Sequence, residues 1–134
     1  IDHSLFHAPP RAKQLRPTVG FVWSATKWKG SDIANEALRL LKARQPQLRI
    51  LSFGTTALPH ALLDLDIEFS VLPPQERLRG IYSACDAWLM ASFTEGFYLP
   101  AMEAMACRTP TVCTPTGLAA EAVEDRINGR MVPF

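Results

Sequence analysis

Short, apolar, β-branched runs alternate with stretches of helical periodicity along the whole chain, and that alternation restricts the fold more than any other feature. The apolar runs are 17–24 (PTVGFVWS), 48–54 (LRILSFG), 67–72 (IEFSVL), 87–92 (AWLMAS), 109–114 (TPTVCT) and 129–134 (GRMVPF). Each is too short to span a helix of ordinary length and rich enough in Val, Ile, Phe and Trp to read as a buried strand. Between them the spacing predicts helices over 31–45, 100–107 and 117–124, a short helix within 73–85 that starts near Pro74, and a loop with one helical turn in 55–66. The 11 prolines fall almost entirely between these segments, so they punctuate elements instead of breaking them. Pro100 stands at the first position of its helix, where a missing N–H costs nothing. In 31–45, Ile33, Ala37, Leu40 and Leu41 are expected to form the buried stripe, with Ser31 or Asp32 as the cap. Strands that are apolar on both faces and separated by helices predict an α/β domain, a Rossmann-like parallel sheet with helices on both faces.

Length and charge narrow the function. A chain of 134 residues suits one domain, 1–134, with a sizeable core. A formal net charge of +1 gives no general attraction to nucleic acid or to an acidic membrane, so no nucleic-acid partner is expected. Cys85, Cys107 and Cys113 form no CxxC and sit among small apolar residues. They read as buried thiols of a reducing compartment, which makes a cytoplasmic location the expectation. No secretory signal is apparent, and no apolar run reaches the roughly 18 residues that a membrane span requires. The chain begins at IDHSLF without Met, and it reads as an excised piece of a longer protein.

In a parallel sheet, ligands sit outside the carboxyl ends of the strands, against helix N-termini. The loops there carry 24–30, 54–56, 92–99 and 114–117. They hold Lys27 and Lys29, Gly30, Gly96 and Gly117, the hydroxyl of Ser92, and Glu95. Free N–H groups at helix starts, with lysines nearby, suit an anion such as a phosphate. Glu95 and Glu103 would repel a phosphate but accept hydrogen bonds from hydroxyl groups. A ligand that carries both phosphates and hydroxyls is a nucleotide sugar.

The segments KWKGSDIANEAL, IYSACDAWLMASFTEGFYLPAMEAMACRTPTV and TGLAAEAVEDRINGRMV, in that order, resemble the C-terminal, donor-binding half of family 4 retaining glycosyltransferases of the GT-B fold. IDHSLF resembles the hinge motif that enters this half, and the likeness covers essentially the whole chain. The resemblance implies that Glu95 binds donor-sugar hydroxyls beside the anomeric carbon and Glu103 binds the ribose. It implies that the backbone amides of Gly96, Phe97, Tyr98 and Leu99 face the sugar and diphosphate, and that Lys29 neutralises the diphosphate. Two departures stand out. Where the family carries an Arg ahead of Lys-Gly, this chain has Trp23 and Ser24, with Lys27 as the available substitute. Tyr98 replaces a customary glycine and is expected to shape the sugar pocket.

The resemblance also implies that an N-terminal acceptor domain and a C-terminal crossover helix are missing. The acceptor would be a glycan or a lipid-linked glycan, and the intact enzyme could be membrane-peripheral. The resemblance also implies a transfer step that needs no metal, so neither a cofactor nor a metal is expected. A cut edge that normally faces another domain gives the piece a route to association. A non-catalytic nucleotide-binding domain of the same fold is the alternative. A response-regulator-like module would need an acidic cluster after the first strand, where this chain has lysines. His3 and His7 are not expected to bind metal, His60 is expected at the surface, and Trp23, Trp28 and Trp88 are expected to pack.

Overall fold

Proline and glycine place the ends of the elements where the sequence led us to expect them. The computed structural model describes residues 1–133; Phe134, the last residue of the expected final strand, lies outside them. The strands are β1 (Thr18–Trp23), β2 (Arg49–Gly54), β3 (Ile67–Val71), β4 (Ala87–Met90), β5 (Thr111–Cys113) and β6 (Gly129–Met131). The helices are α1 (Ser31–Arg44), α2 (Gln75–Ser83), α3 (Leu99–Ala106) and α4 (Ala119–Ala122), with short 3-10 turns at Lys27–Lys29 and His60–Leu65. The expected helical turn in 55–66 is the second of these, and the last helix is shorter than its periodicity suggested.

The six strands form one sheet in the order β3-β2-β1-β4-β5-β6, and every pair is parallel. The chain winds outward from β1 to β3, then crosses back to place β4 on the other side of β1. All carboxyl ends therefore lie on one edge, and the crevice between β1 and β4 is the topological switch point. Side chains alternate across the sheet and build two cores. On one face Phe21, Ile50 and Leu48 pack with Ala34 and Leu38 of α1 and with Leu62 and Leu65. On the other, Leu51, Trp88 and Met90 pack with Tyr82 of α2, Ala101 and Ala104 of α3, and Ala119 of α4. Phe6, ahead of the first strand, joins this second core.

Two expectations about α1 do not hold. The buried stripe is Ala34 and Leu38, continued by the partly buried Leu41, while Ile33 and Leu40 are 50% and 61% exposed. Both stripes have helical spacing, and the small Ala34 allows the closer approach to the sheet. Ile33 and Ala37 instead line an apolar groove with Leu89, Val112 and Val132. The cap is Gly30, in the left-handed conformation at φ 64°, with no side-chain cap. Ser31 lies inside the helix, where its hydroxyl donates to the Ser24 carbonyl and accepts from the Ser24 N–H, so it ties the preceding loop instead of capping. Trp23 and Trp88 are buried as expected, but Trp28 is 57% exposed beside the crevice. The three cysteines are buried, and desolvation raises all three thiols, Cys85 to about 12 and Cys107 to about 11. Among the described residues, no helix is long and apolar enough to cross a membrane.

Candidate functional site

Parallel pairing brings the loop after β1 and the loop after β4 to the two sides of the switch point. The first folds as the Lys27–Lys29 turn and hands over to α1 through Gly30. A Cβ at Gly30 would lie 1.9 Å from the Ala91 carbonyl oxygen, so the residue is glycine because the loop presses on the end of β4. The second loop follows that contact, with the Phe93 N–H donating to the Trp28 carbonyl at 2.8 Å.

This close approach joins Lys29 to Glu95. The Lys29 ammonium lies 2.7 Å and 3.0 Å from the two carboxylate oxygens of Glu95. The Ser92 hydroxyl, 1% exposed, donates to Glu95 Oε1 at 2.7 Å. The Glu95 N–H donates to Thr116 Oγ1 at 3.0 Å, which fixes the main chain under the side chain. Gly117, at φ 54°, follows; a Cβ there would lie 2.7 Å from the Gly96 carbonyl oxygen. Loops from three strands thus converge on one residue, two of them on its carboxylate and the third on its backbone. The side chains of Lys29 and Glu95 are 36% and 11% exposed, so both are reachable from the crevice and partly shielded from bulk water.

The next residues begin a helix with its donors unspent. Among the described residues, the N–H groups of Gly96, Phe97, Tyr98 and Leu99 donate to no protein acceptor. The space where a Gly96 side chain would stand is empty. Phe97 and Leu99 are 69% and 51% exposed, at the lip. Four unpaired donors at the start of α3, with Lys29 nearby, make a positive locus. Lys27 lies exposed on the facing turn and forms no ion pair among the described residues.

Tyr98 departs from its expected place. It caps α3 in the left-handed conformation at φ 57°, and its ring is buried instead of lining the open cleft. Its phenol oxygen accepts the Ser92 N–H at 3.2 Å and lies 3.3 Å from Thr114 Oγ1. The side chain therefore sits beneath the loop that carries Glu95. Burial raises its phenol above the ordinary range.

Glu103 lies just over one turn into α3, partly buried. Tyr82 donates its phenol to Glu103 Oε2 at 2.6 Å, and among the described residues Oε1 takes no hydrogen bond. Sequence reasoning missed Thr116, Thr114 and Tyr82. The two threonines belong to a strand-end loop already marked as polar, and Tyr82 sits in a segment that reads only as helix.

An apolar cleft of about 290 Å³ extends the crevice toward β2 and β3, lined by Val22, Ser24, Lys29, Phe53, Gly54 and Leu72. A wider groove of about 600 Å³ runs along the outer strands past Arg49, Glu68, Arg77 and Arg79. It contains none of the expected site residues, and Arg49 and Glu68 are paired to each other at 2.7 Å. Among the described residues, no group of His, Cys, Asp and Glu could hold a metal ion.

Comparison with known proteins agrees on the kind of domain. The chain is 35% identical over 128 residues to D-inositol 3-phosphate glycosyltransferase of Mycobacteroides abscessus, covering 86% of this chain and 28% of that protein. The same enzyme of Saccharomonospora viridis is 34% identical over 122 residues, covering 78% and 28%. The chain thus spans little more than a quarter of the length of these relatives. Among solved structures it superposes on the C-terminal domain of the glycosyl transferase group 1 family protein LpcC of Francisella tularensis with a TM-score of 0.78, at 25% identity over 99% of this chain and 80% of that one. Sucrose-phosphate synthase of Thermosynechococcus elongatus gives a TM-score of 0.80 at 24% identity, over 99% of this chain and 38% of that one. The sheet is one half of a GT-B fold. The family model described as glycosyl transferases group 1 matches residues 16–134, and the chain belongs to that family.

Proposed function

We propose that this chain is the donor-binding domain of a retaining, family 4-like glycosyltransferase and that the β1/β4 crevice binds a nucleoside-diphosphate sugar. The observation that carries the reading is the pairing of Lys29 with Glu95 beside four unspent N–H groups at the start of α3. Such a site offers positive potential to a diphosphate and an acceptor to sugar hydroxyls within one loop. In this reading Glu95 binds the donor sugar, Glu103 the ribose, and Gly96 to Leu99 the diphosphate and sugar through their amides. Empty space over Gly96 suits close approach of a ligand to the backbone.

The chemistry follows from where charge develops. The bond from the anomeric carbon to the diphosphate oxygen breaks, the acceptor oxygen bonds to that carbon on the same face, and the acceptor's hydroxyl proton passes to the departing diphosphate oxygen. The leaving diphosphate gains charge, and Lys29, supported by Lys27 and the free amides ahead of α3, stabilises it, while Gly30 lets the Lys29 turn lie against the end of β4. These groups supply the positive potential from the protein, so we assign no metal to this step. The intact enzyme would present a glycan or lipid-linked acceptor from a second domain. The 134-residue piece alone would bind nucleotide but transfer slowly, because positioning of the acceptor is lost. The absence of an arginine at Trp23 or Ser24 favours a second reading, a nucleotide-binding domain without transfer.

Calorimetric titration with UDP, GDP, ADP and dTDP, with and without Mg²⁺, on the wild type and on Glu103→Ala, tests the reading. Saturable binding of one nucleotide, indifferent to Mg²⁺ and weakened by the substitution, is expected. Failure of all four at millimolar concentration overturns it. Transfer assays on the longer enzyme then separate catalysis from binding alone.

A further inference from the structure

We propose that Tyr82 is a positioning residue of the donor site, whose buried phenol fixes the Glu103 carboxylate so that Oε1 is presented to the ribose hydroxyls. The inference rests on the donor-site reading and adds the group that sets its geometry. Tyr82 is 0% exposed. Its ring meets those of Phe6, Phe53 and Trp88 at centroid distances of 6.0, 5.9 and 4.6 Å, and Phe53 and Trp88 lie in the sheet itself. Its carbonyl accepts the Thr109 hydroxyl at 2.7 Å. Ring and backbone are both pinned, so the phenol oxygen has one position.

Packing alone does not call for that oxygen. A phenylalanine would fill the same space without burying a hydroxyl, which is costly when unpaired. Among the described residues, the partner of the hydroxyl is Glu103, at the short distance of a charge-assisted bond. Burial first, then this bond, raise the phenol far above its ordinary range, so it remains a donor wherever Glu103 is an anion. A glutamate loses rotamer freedom when it grips a ligand. Here the core has already restricted it, through one oxygen, and the other is left for the ligand. Phe6 extends the brace to the segment that enters the domain.

The test compares the wild type, Tyr82→Phe and Glu103→Ala in titrations with UDP, GDP and ADP, each against its 2′,3′-dideoxy analogue. Tyr82→Phe removes only the oxygen, and the ratio of two affinities in one sample cancels any loss of folded protein. We expect Tyr82→Phe to weaken the ribonucleotide about tenfold, the worth of one charge-assisted hydrogen bond, and to leave the dideoxy analogue unchanged. Equal weakening of both, or of neither, overturns the positioning role. If Glu103→Ala removes the ribose preference while Tyr82→Phe keeps it, the donor site stands and the positioning role falls. If the wild type binds no nucleotide, both fall.

Discussion

Glu95 and Glu103 are the two carboxylates proposed to hold the donor, but the fold holds them by opposite means. Glu95 stands on a loop, so its position has to be built from neighbours: Lys29 from the β1 side, Ser92 from the end of β4, and Thr116 from the β5 side under its backbone. Glu103 stands on a helix whose backbone is already fixed, and one phenol from the core suffices. The contrast extends to energetics. The anchors of Glu95 are polar, with Ser92 buried and Lys29 partly solvated, and their loss mainly costs local geometry. The anchor of Glu103 belongs to an aromatic core, and its loss costs the fold. A site can thus contain one residue whose surroundings tolerate change and one whose surroundings do not.

The largest effect should come from attacking the core side of this contrast. Tyr82→Ala removes a fully buried ring from contact with Phe6, Phe53 and Trp88. It should destabilise the domain by about 3–5 kcal/mol, as for other large-to-small aromatic substitutions in cores. Urea unfolding followed by tryptophan fluorescence measures this. A loss below about 1 kcal/mol would remove the distinction between the two carboxylates. On the crevice side, Lys29→Met should cost the fold less, about 1–2 kcal/mol, because the Glu95 carboxylate, 11% exposed, keeps the Ser92 donor when the lysine is gone. The same change should weaken nucleoside-diphosphate binding at least tenfold if the proposed diphosphate role holds, since it deletes a charged donor. An unfolded Lys29→Met protein would instead make the crevice pair structural.

Alkaline pH probes the core side through its buried thiols. The thiols of Cys85 and Cys107 are raised from 9.0 to about 12 and about 11, chiefly by desolvation. An acid whose folded value is raised stabilises the fold fully below its unfolded value. That contribution is lost as the pH climbs from the unfolded value to the folded one, because the unfolded chain ionises first. Stability should therefore decline from about pH 9 toward pH 11–12. At pH 8 the native thiols should resist a disulfide reagent that modifies the urea-unfolded chain at once. Fast native reaction of any of the three would show that the aromatic core admits solvent.

The two carboxylates also show what could be read from the chain and what could not. The sheet was legible, because prolines and glycines fall between short apolar runs and the alternation with helices leaves a parallel arrangement. Glu95, Glu103 and Lys29 stood out as charges at strand ends and at a helix start. Their anchors did not. Thr116 and Tyr82 each lie 21 residues from the glutamate they hold, Thr116 through the backbone N–H and Tyr82 through the carboxylate, and only strand order and helix packing bring them close. The place of Tyr98 is hidden for a related reason: the residue is expected to shape the sugar pocket, but its ring is buried beneath the Glu95 loop, at a left-handed backbone position that sequence pattern does not reveal. In α1, two stripes have equal claim by spacing, and the choice depends on how closely the helix approaches the sheet. Periodicity carries no information about that distance.

The smallest effect expected is also the one that asks whether the surroundings of Glu95 are divisible. Ser92→Ala deletes one of the donors to Glu95 Oε1 and leaves the Lys29 contact in place. The alanine fits the same buried space, so the fold should lose about 1 kcal/mol, the usual net worth of one such bond. If each anchor acts alone, the double change Ser92→Ala with Lys29→Met should cost the sum of the single changes. If the three groups act as one network, the sum should fail by about 0.5 kcal/mol or more. Urea unfolding of the wild type, the two single variants and the double variant closes that cycle. Additivity would mean that Lys29 and Ser92 hold Glu95 independently, so that a ligand could draw the lysine away without releasing the carboxylate. A large coupling would mean that the carboxylate moves whenever the lysine leaves it, and Glu95 and Lys29 would then have to engage a ligand together.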